Sequence, residues 1–382
     1  MSGSRARLLK WPEAAARRLP VRGSRALAGF FIVIGIVLPF FFQQTSGFLN
    51  ATIIAIAYAV MSLGLNVVVG FAGLLDLGYV AFYALGAYSL GWFASGFFFK
   101  ANIHVLVSPV ASTLPGIHLN FILVLIGAAL ICAAAGVVIG LPTLRLRGDY
   151  IAIVTLAFGE IIGQVVVNGR EIGLFGGTLT RGAIGIGPID KIDLPLIEPF
   201  GALDLRPWYW FALALVAVVL VINVHLRDSR IGRAWRALRD DEAAAAAVGI
   251  PVARTKLLAY GTGAALGAVA GAFLASYLSI VDAGQFEFSF SIFIFSMVVL
   301  GGLGSIRGVV VAAVLLSVLN NYLLPDVFYD LPARFGLDFD LSAISSGIYG
   351  VIIVVVMLLF PDGFGAYADG GRRDTGRRVT AR

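Results

Sequence analysis

Cysteine is almost absent. Cys132 is the single one in 382 residues, which excludes a disulfide framework and a thiolate-bound metal cluster. Histidine is nearly as scarce: His104, His118 and His225 fall in separate segments without a shared ligand spacing, and they are read as unconnected surface or interfacial residues. Lysine occurs only at positions 10, 100, 191 and 256, never inside a G-x-x-x-x-G-K-[ST] phosphate loop. The run GTGAALG (261–267) misses the spacing of a dinucleotide fingerprint and lies in an apolar stretch. The chain therefore lacks the usual means of binding ATP. Charge is thin overall, at 13% of residues, where a soluble protein carries about a quarter.

What fills the sequence instead is hydrocarbon. Residues of hydrophobic type make up 59% of the chain, and the mean hydropathy is +0.93. Length alone suggests two or three globular domains, but apolar runs separated by short polar ones override that expectation. A helix needs about 20 apolar residues to cross the hydrocarbon core. Ten candidate spans follow: 26–42, 48–69, 74–99, 119–141, 150–167, 208–226, 257–281, 290–303, 308–324 and 343–360. The expected fold is an all-α, polytopic integral membrane protein with its transmembrane domain over 26–363. Residues 1–25 are basic and form an arm before the first span; a signal peptide would compete for this reading, but no clean A-x-A site follows. Such an arm suits anionic lipid headgroups rather than nucleic acid. A second basic tail covers 364–382.

Ten spans put both termini on one side of the bilayer. With the N-terminus inside, 22 Lys and Arg residues fall on the cytoplasmic side and 6 on the other. The positive-inside rule then makes both termini cytoplasmic. This places a Gly- and Pro-rich segment, 168–207, outside, and the one sizeable polar loop, 227–256, inside.

The inner loop reads RDSRIGRAWRALRDDEAAAAAVGIPVARTK. Its Ala, Arg, Leu and Glu favour a helix, and Gly249 followed by Pro251 marks a stop. Ile231, Trp235 and Leu238 recur at i, i+4 and i+7 and make an apolar stripe beside Arg233, Arg236 and Arg239. A helix lying on lipid is one explanation, but Asp240, Asp241 and Glu242 would be repelled by anionic headgroups. A helix docking into a partner's groove fits better, with apolar anchors inserted and charges setting orientation.

Five segments together carry a resemblance. SRIGRAWRALRDDEAAAAAVGIP resembles the cytoplasmic coupling segment, the EAA region, of ATP-binding-cassette (ABC) importer permeases, with Glu242, Ala243, Ala244 and Gly249 as the matching residues; the glycine comes one position later than in the general pattern. GLLDLGYVAFYALGAY (73–88), RLRGDYIAIVTLAFGEII (145–162), VLGGLGSIRG (299–308) and FPDG (360–363) accompany it in order. The set is similar to the M-type permease subunit of branched-chain amino acid ABC importers. That resemblance implies an alternating-access permease of the cell inner membrane, without bond chemistry or cofactor of its own. It implies as partners an H-type permease, two ABC ATPase subunits, and a periplasmic substrate-binding protein delivering leucine, isoleucine or valine. Residues Ile231, Arg233, Trp235, Arg236, Leu238, Glu242, Ala243, Ala244 and Gly249 become the candidate ATPase-coupling set, and 168–207 a candidate dock for the binding protein. Two alternatives stay open. Related permeases carry urea or short amides. An ion-coupled secondary transporter would need several deep ionisable groups and would have no use for a coupling loop.

Within the spans, Gly263, Gly267, Gly271 and Ala275 form a small-xxx-small ladder suited to close helix packing. GFAGLLDLG (70–78) and LGGLGSIRG (300–308) interrupt apolar stretches in the two halves, as in a repeat with unwound segments around a pathway. Asp76 is either a polar group at that interface or a helix N-cap. Asp149 is a helix cap at the start of the fifth span, favoured by the helix dipole. Glu160 is the one deep charge, roughly 15 Å beyond Tyr150 at mid-bilayer. With Thr155, Gly159 and Gly163 it makes a candidate pathway or helix-interface group. Gly159 and Gly163 at GxxxG spacing let a neighbour approach, and Glu160 is expected to clamp the span by hydrogen bonding across that interface. Capture of a substrate ammonium is the competing role.

Overall fold

The computed structural model describes residues 35–327 apart from 109–110, 145, 147, 149, 175–176, 194–198 and 202, with five further positions between 347 and 355. Numbered in chain order, the helices are α1 (Gly47–Leu65), α2 (Val80–Phe93), α3 (Phe121–Thr143), α4 (Tyr150–Asn168), α5 (Arg206–Asp228), α6 (Arg230–Asp240), α7 (Glu242–Ala247), α8 (Val252–Leu278), α9 (Phe288–Gly301) and α10 (Ile306–Val318). Six of these segments, some extended by a following π-turn, are long and apolar enough to cross a membrane: α1, α3, α4, α5, α8 and α10. Side-chain caps start several of them. Ser46 accepts a hydrogen bond from Leu49 N–H, Asn120 from Ile122 N–H, and Ser305 from Gly308 N–H. The expected spans 26–42 and 343–360 lie largely outside the described residues.

Two expected spans, 74–99 and 290–303, contain helices of only 14 residues, α2 and α9. At 1.5 Å per residue each is about 21 Å long, short of the roughly 30 Å core. The remainder is irregular backbone. The π-turn Asn66–Phe71 continues α1, and residues 72–79 follow it without helix until α2 begins. After α9 the chain turns through Gly302 and Gly304, at φ 92° and 85°, a conformation that glycine adopts without a Cβ clash. Non-helical backbone at such depth persists only where protein or a wet cavity satisfies its polar groups.

Helix α8 is the centre of the bundle, packed against α1, α2 and α3. The glycine ladder is what lets them approach. Gly267 lies against the Tyr79 ring, Gly271 against the backbone of Tyr83 and Ala87, and Tyr79 O–H donates to Gly263 O at 2.6 Å. On α2, a Cβ at Gly86 would run into the backbone of Ala268. Outward-facing positions are large and apolar, among them Leu130, Val138, Val218 and Val311, as a lipid-facing surface requires.

At the end of the bundle carrying 168–207 the chain departs from pure helix. Five strands of two or three residues, β1 (Ala94–Ser95), β2 (Ile103–Val105), β3 (Ile117–Leu119), β4 (Gly173–Leu174) and β5 (Gly177–Thr178), tie the connections together, with β3 between β1 and β2. Here polar backbone leaves the helices and must find partners across loops. Ile189 N–H donates to Ser279 O, Asp190 N–H to Ala94 O, and the Trp92 indole to Leu179 O. Two histidines meet here, against the expectation that they are unconnected. The parallel pairing of β2 with β3 puts His104 opposite His118, and their rings stack with centroids 5.4 Å apart. His118 Nδ1 lies 2.6 Å from Asp190 Oδ2. Burial pushes the Asp190 carboxyl above the usual carboxylate range, while the hydrogen bond with His118 pulls it the other way.

Candidate functional site: the coupling hairpin and the two glycine turns

The polar loop 227–256 folds as two short helices hung between α5 and α8. Ser229 ends α5 and caps α6 by accepting from Gly232 N–H. Asp241 caps α7 by accepting from the N–H groups of Ala243 and Ala244, and Gly249, at φ 88°, lets the chain leave α7 for Pro251. Glu242 reaches back to Lys256 at 2.8 Å, fixing α7 on α8.

The apolar stripe of α6 faces inward, which corrects the expectation that Trp235 anchors a partner. Trp235 is 0% exposed, and its indole N–H donates to Thr255 O at 2.8 Å. Leu238 is buried beside it, while Ile231 is exposed. The periodicity was that of an amphipathic helix, and the nearest apolar surface able to accept it is the chain's own α8. The outward surface consists instead of Arg233, Arg236, Ala243, Ala244, Gly249 and the strongly exposed Val248.

One side chain of this hairpin reaches deep. From the last turn of α6, the Arg239 guanidinium Nη1 donates to Gly70 O and lies 3.5 Å from Leu303 O. Those carbonyls belong to the two glycine-broken segments, 70–78 and 300–308. The second segment is also held by the π-turn that leads into the first: Gly304 N–H donates to Asn66 Oδ1 at 2.9 Å. No larger residue fits. A Cβ at Gly70 would lie 2.6 Å from Gly304 N, and one at Gly73 would lie 2.7 Å from Arg239 Cγ. The paired segments read from the sequence are thus brought together, and Arg239 and Asn66 join them. The sequence signal for Asn66 is an amide inside an apolar run; for Arg239 it is its place four residues after Trp235, one turn along the buried side of α6.

Helix α4 packs on the first of these segments. Leu77 N–H donates to Thr155 Oγ1 at 3.1 Å, and a Cβ at Gly159 would lie 2.9 Å from Gly78 Cα. Asp76 accepts from Gly78 N–H at 3.0 Å. It therefore closes a turn at the α4 interface, ahead of α2, and is not the helix N-cap, which is Tyr79. Gly163 sits farther along, where a Cβ would lie 3.8 Å from Phe286 O. Glu160 does not clamp this contact. It is exposed, one residue around the helix from buried Gly159, and shares the outer face with exposed Gln164 and Asn168. The Asp149 cap lies outside the described residues.

Helices long and apolar enough to cross a membrane, buried broken segments and a polar hairpin tied to them are the build of a multi-pass membrane protein. Sequence comparison supplies the family: residues 47–359 match the model described as "Branched-chain amino acid transport system / permease component", and the chain belongs to that family. It is 37% identical over 307 residues to the high-affinity branched-chain amino acid transport system permease protein LivM of Salmonella typhimurium, covering 75% of this chain and 65% of that protein. It is 26% identical over 322 residues to the probable branched-chain amino acid transport permease protein LivM of Methanocaldococcus jannaschii, covering 80% and 89%. The permease protein LivH of Salmonella typhimurium is also similar, 26% identical over 289 residues and covering 73% of this chain and 84% of that protein. No solved structure matches.

Proposed function

We propose that this chain is the M-type permease subunit of an ATP-driven importer of leucine, isoleucine and valine in the cell inner membrane. Ten spans with cytoplasmic termini place the α6–α7 hairpin inside and 168–207 outside. An H-type permease completes the path, two ABC ATPases sit under the two hairpins, and a periplasmic binding protein delivers substrate onto the 168–207 side. The surface offered to the ATPase is Arg233, Arg236, Ala243, Ala244, Gly249 and Val248, with Trp235 and Leu238 holding α6 rigidly on α8. The polar face of α4, Glu160 with Gln164 and Asn168, faces the second permease across the path, because a carboxylate turned to lipid at that depth costs a few kcal/mol.

The observation that carries the reading is the Arg239 bridge. A docking hairpin whose one deep side chain holds both broken segments provides a route from an ATPase to the inner gate. The test is reconstitution with the H-type permease, ATPases and binding protein, followed by uptake of labelled leucine in competition with isoleucine, valine, alanine and urea. Leucine uptake that needs ATP and is competed by isoleucine and valine supports the proposal. Uptake driven by an ion gradient without ATP, or competed by urea alone, overturns it.

A further inference from the structure

A cavity of about 190 Å³ opens at the opposite end of the bundle from Arg239, between α1, α2, the end of α8 and the start of α9. It has room for several water molecules or a small ligand. Its walls have two characters. Tyr58, Tyr83 and Phe290 form an aromatic side, with Tyr58 and Tyr83 each within 5.4 Å of the Phe290 ring centroid, and aliphatic residues of α1 and α8 complete it. Glu287, Ser289 and Gln285 form a polar side. Gln285 is committed to Asp282, and Ser289 donates to Glu287 Oε2.

Two features of the polar side await a ligand. Glu287 is the N-cap residue of α9, yet its side chain caps no N–H; the Phe290 N–H donates to Glu287 O, and the N–H groups of Phe288 and Ser289, the first two of that 14-residue helix, stay open to an anion. Tyr83 is only 3% exposed and lines the cavity, and its hydroxyl has no hydrogen-bond partner among the described residues. A cavity with an exposed carboxylate, open helix N–H groups and a spare hydroxyl beside an aromatic wall matches one chemistry: a zwitterion with an aliphatic tail.

Resting on the functional reading above, we propose that this cavity holds the amino acid on its way through the permease. Its ammonium sits on Glu287, its carboxylate on the N-terminus of α9 and the Tyr83 hydroxyl, and its side chain against Tyr58 and Phe290. Glu287 is exposed to water, so the hold is brief, as a transport path needs.

The test uses the reconstituted complex with its binding protein. Glu287→Gln and Tyr83→Phe are expected to lower maximal leucine uptake about tenfold, the worth of one hydrogen bond to a charged group. Phe290→Ala is expected to shift preference from leucine toward phenylalanine, which a merely structural role would not do. In a Cys132→Ser background, Ser289→Cys is expected to react with an impermeant maleimide and to be slowed by leucine but not by sucrose; this measurement decides should a variant fail to assemble. A wild-type complex that carries none of the three amino acids overturns the functional reading and this site with it. A wild-type complex that carries them, while uptake, preference and labelling stay unmoved, overturns the site alone.

Discussion

Trp235 sets how the hairpin is held. Its ring is fully buried and its indole N–H is spent on Thr255 O, so its worth is internal to this chain. Truncating a buried aromatic of this size costs about 3–5 kcal/mol. Trp235→Ala is therefore expected to lower the melting temperature of the purified chain with no ATPase present, while Trp235→Phe, which keeps most of the volume, loses less. An unchanged melting temperature in Trp235→Ala, with ATPase binding lost, would restore the partner-anchor role. A similar argument applies to Asp190. Removing it as Asp190→Ala leaves His118, 2% exposed, without its partner, at a cost of about 1–3 kcal/mol. Thermal unfolding of the purified variant checks this; a melting temperature equal to wild type would mean that the contact contributes nothing.

At the scale of elements, α6 reaches the two glycine turns through Arg239, and α4 presents a polar outer face. Because Arg239 joins the hairpin to both glycine turns, Arg239→Ala is expected to leave the ATPases hydrolysing ATP while uptake falls about tenfold or more, the equivalent of losing its charged hydrogen bonds. Arg239→Lys, with one compact cation in place of a fork, should lie between. Measured ATP hydrolysed per leucine imported decides, and a ratio unchanged from wild type in Arg239→Ala would break the route. On α4, Glu160→Gln is expected to keep substantial uptake because it keeps hydrogen bonding, whereas Glu160→Leu should lose both the H-type partner and uptake. Co-purification with the partner from Glu160→Leu membranes would instead place that face against lipid.

Much of this was legible beforehand, and what was not has identifiable causes. Hydropathy located the six long described spans because burial in lipid is a composition effect. The ladder of Gly263, Gly267 and Gly271 was legible because small residues at i+4 have few other uses in a span. Facing was the hard part. Periodicity showed that Trp235 and Leu238 share a side of α6 but could not say whether α8 or a partner covers it. A rotation of about 100° per residue separates buried Gly159 from exposed Glu160, so reading the pair as one interface merged two faces. The ends of α2 and α9 were hidden as well, since Leu74 and Leu77 are as apolar outside a helix as within one.

For the whole molecule, sidedness is the claim on which the rest depends. The structure picks the reporters: Ile184 is 68% exposed in the 168–207 segment and Val248 is 78% exposed at the end of α7, whereas Cys132 is 0% exposed. Ile184→Cys and Val248→Cys, each with Cys132→Ser, are expected to react with an impermeant thiol reagent from opposite faces of sealed vesicles. Labelling of both from one face would require an odd number of crossings between them to be removed and would invert the assignment of hairpin and dock.

The placement of α8 also bears on how the protein is made. It is the least hydropathic of the six long spans and one of the most thoroughly buried, whereas α3, the most hydropathic, is largely exposed. A nascent α8 therefore gains comparatively little from partitioning into lipid alone, and its glycine faces are useful only against α1, α2 and α3. Those three leave the ribosome before it. The order of synthesis thus supplies α8 with its solvent, a groove of finished helices, and makes its entry into the membrane an act of folding rather than of partition.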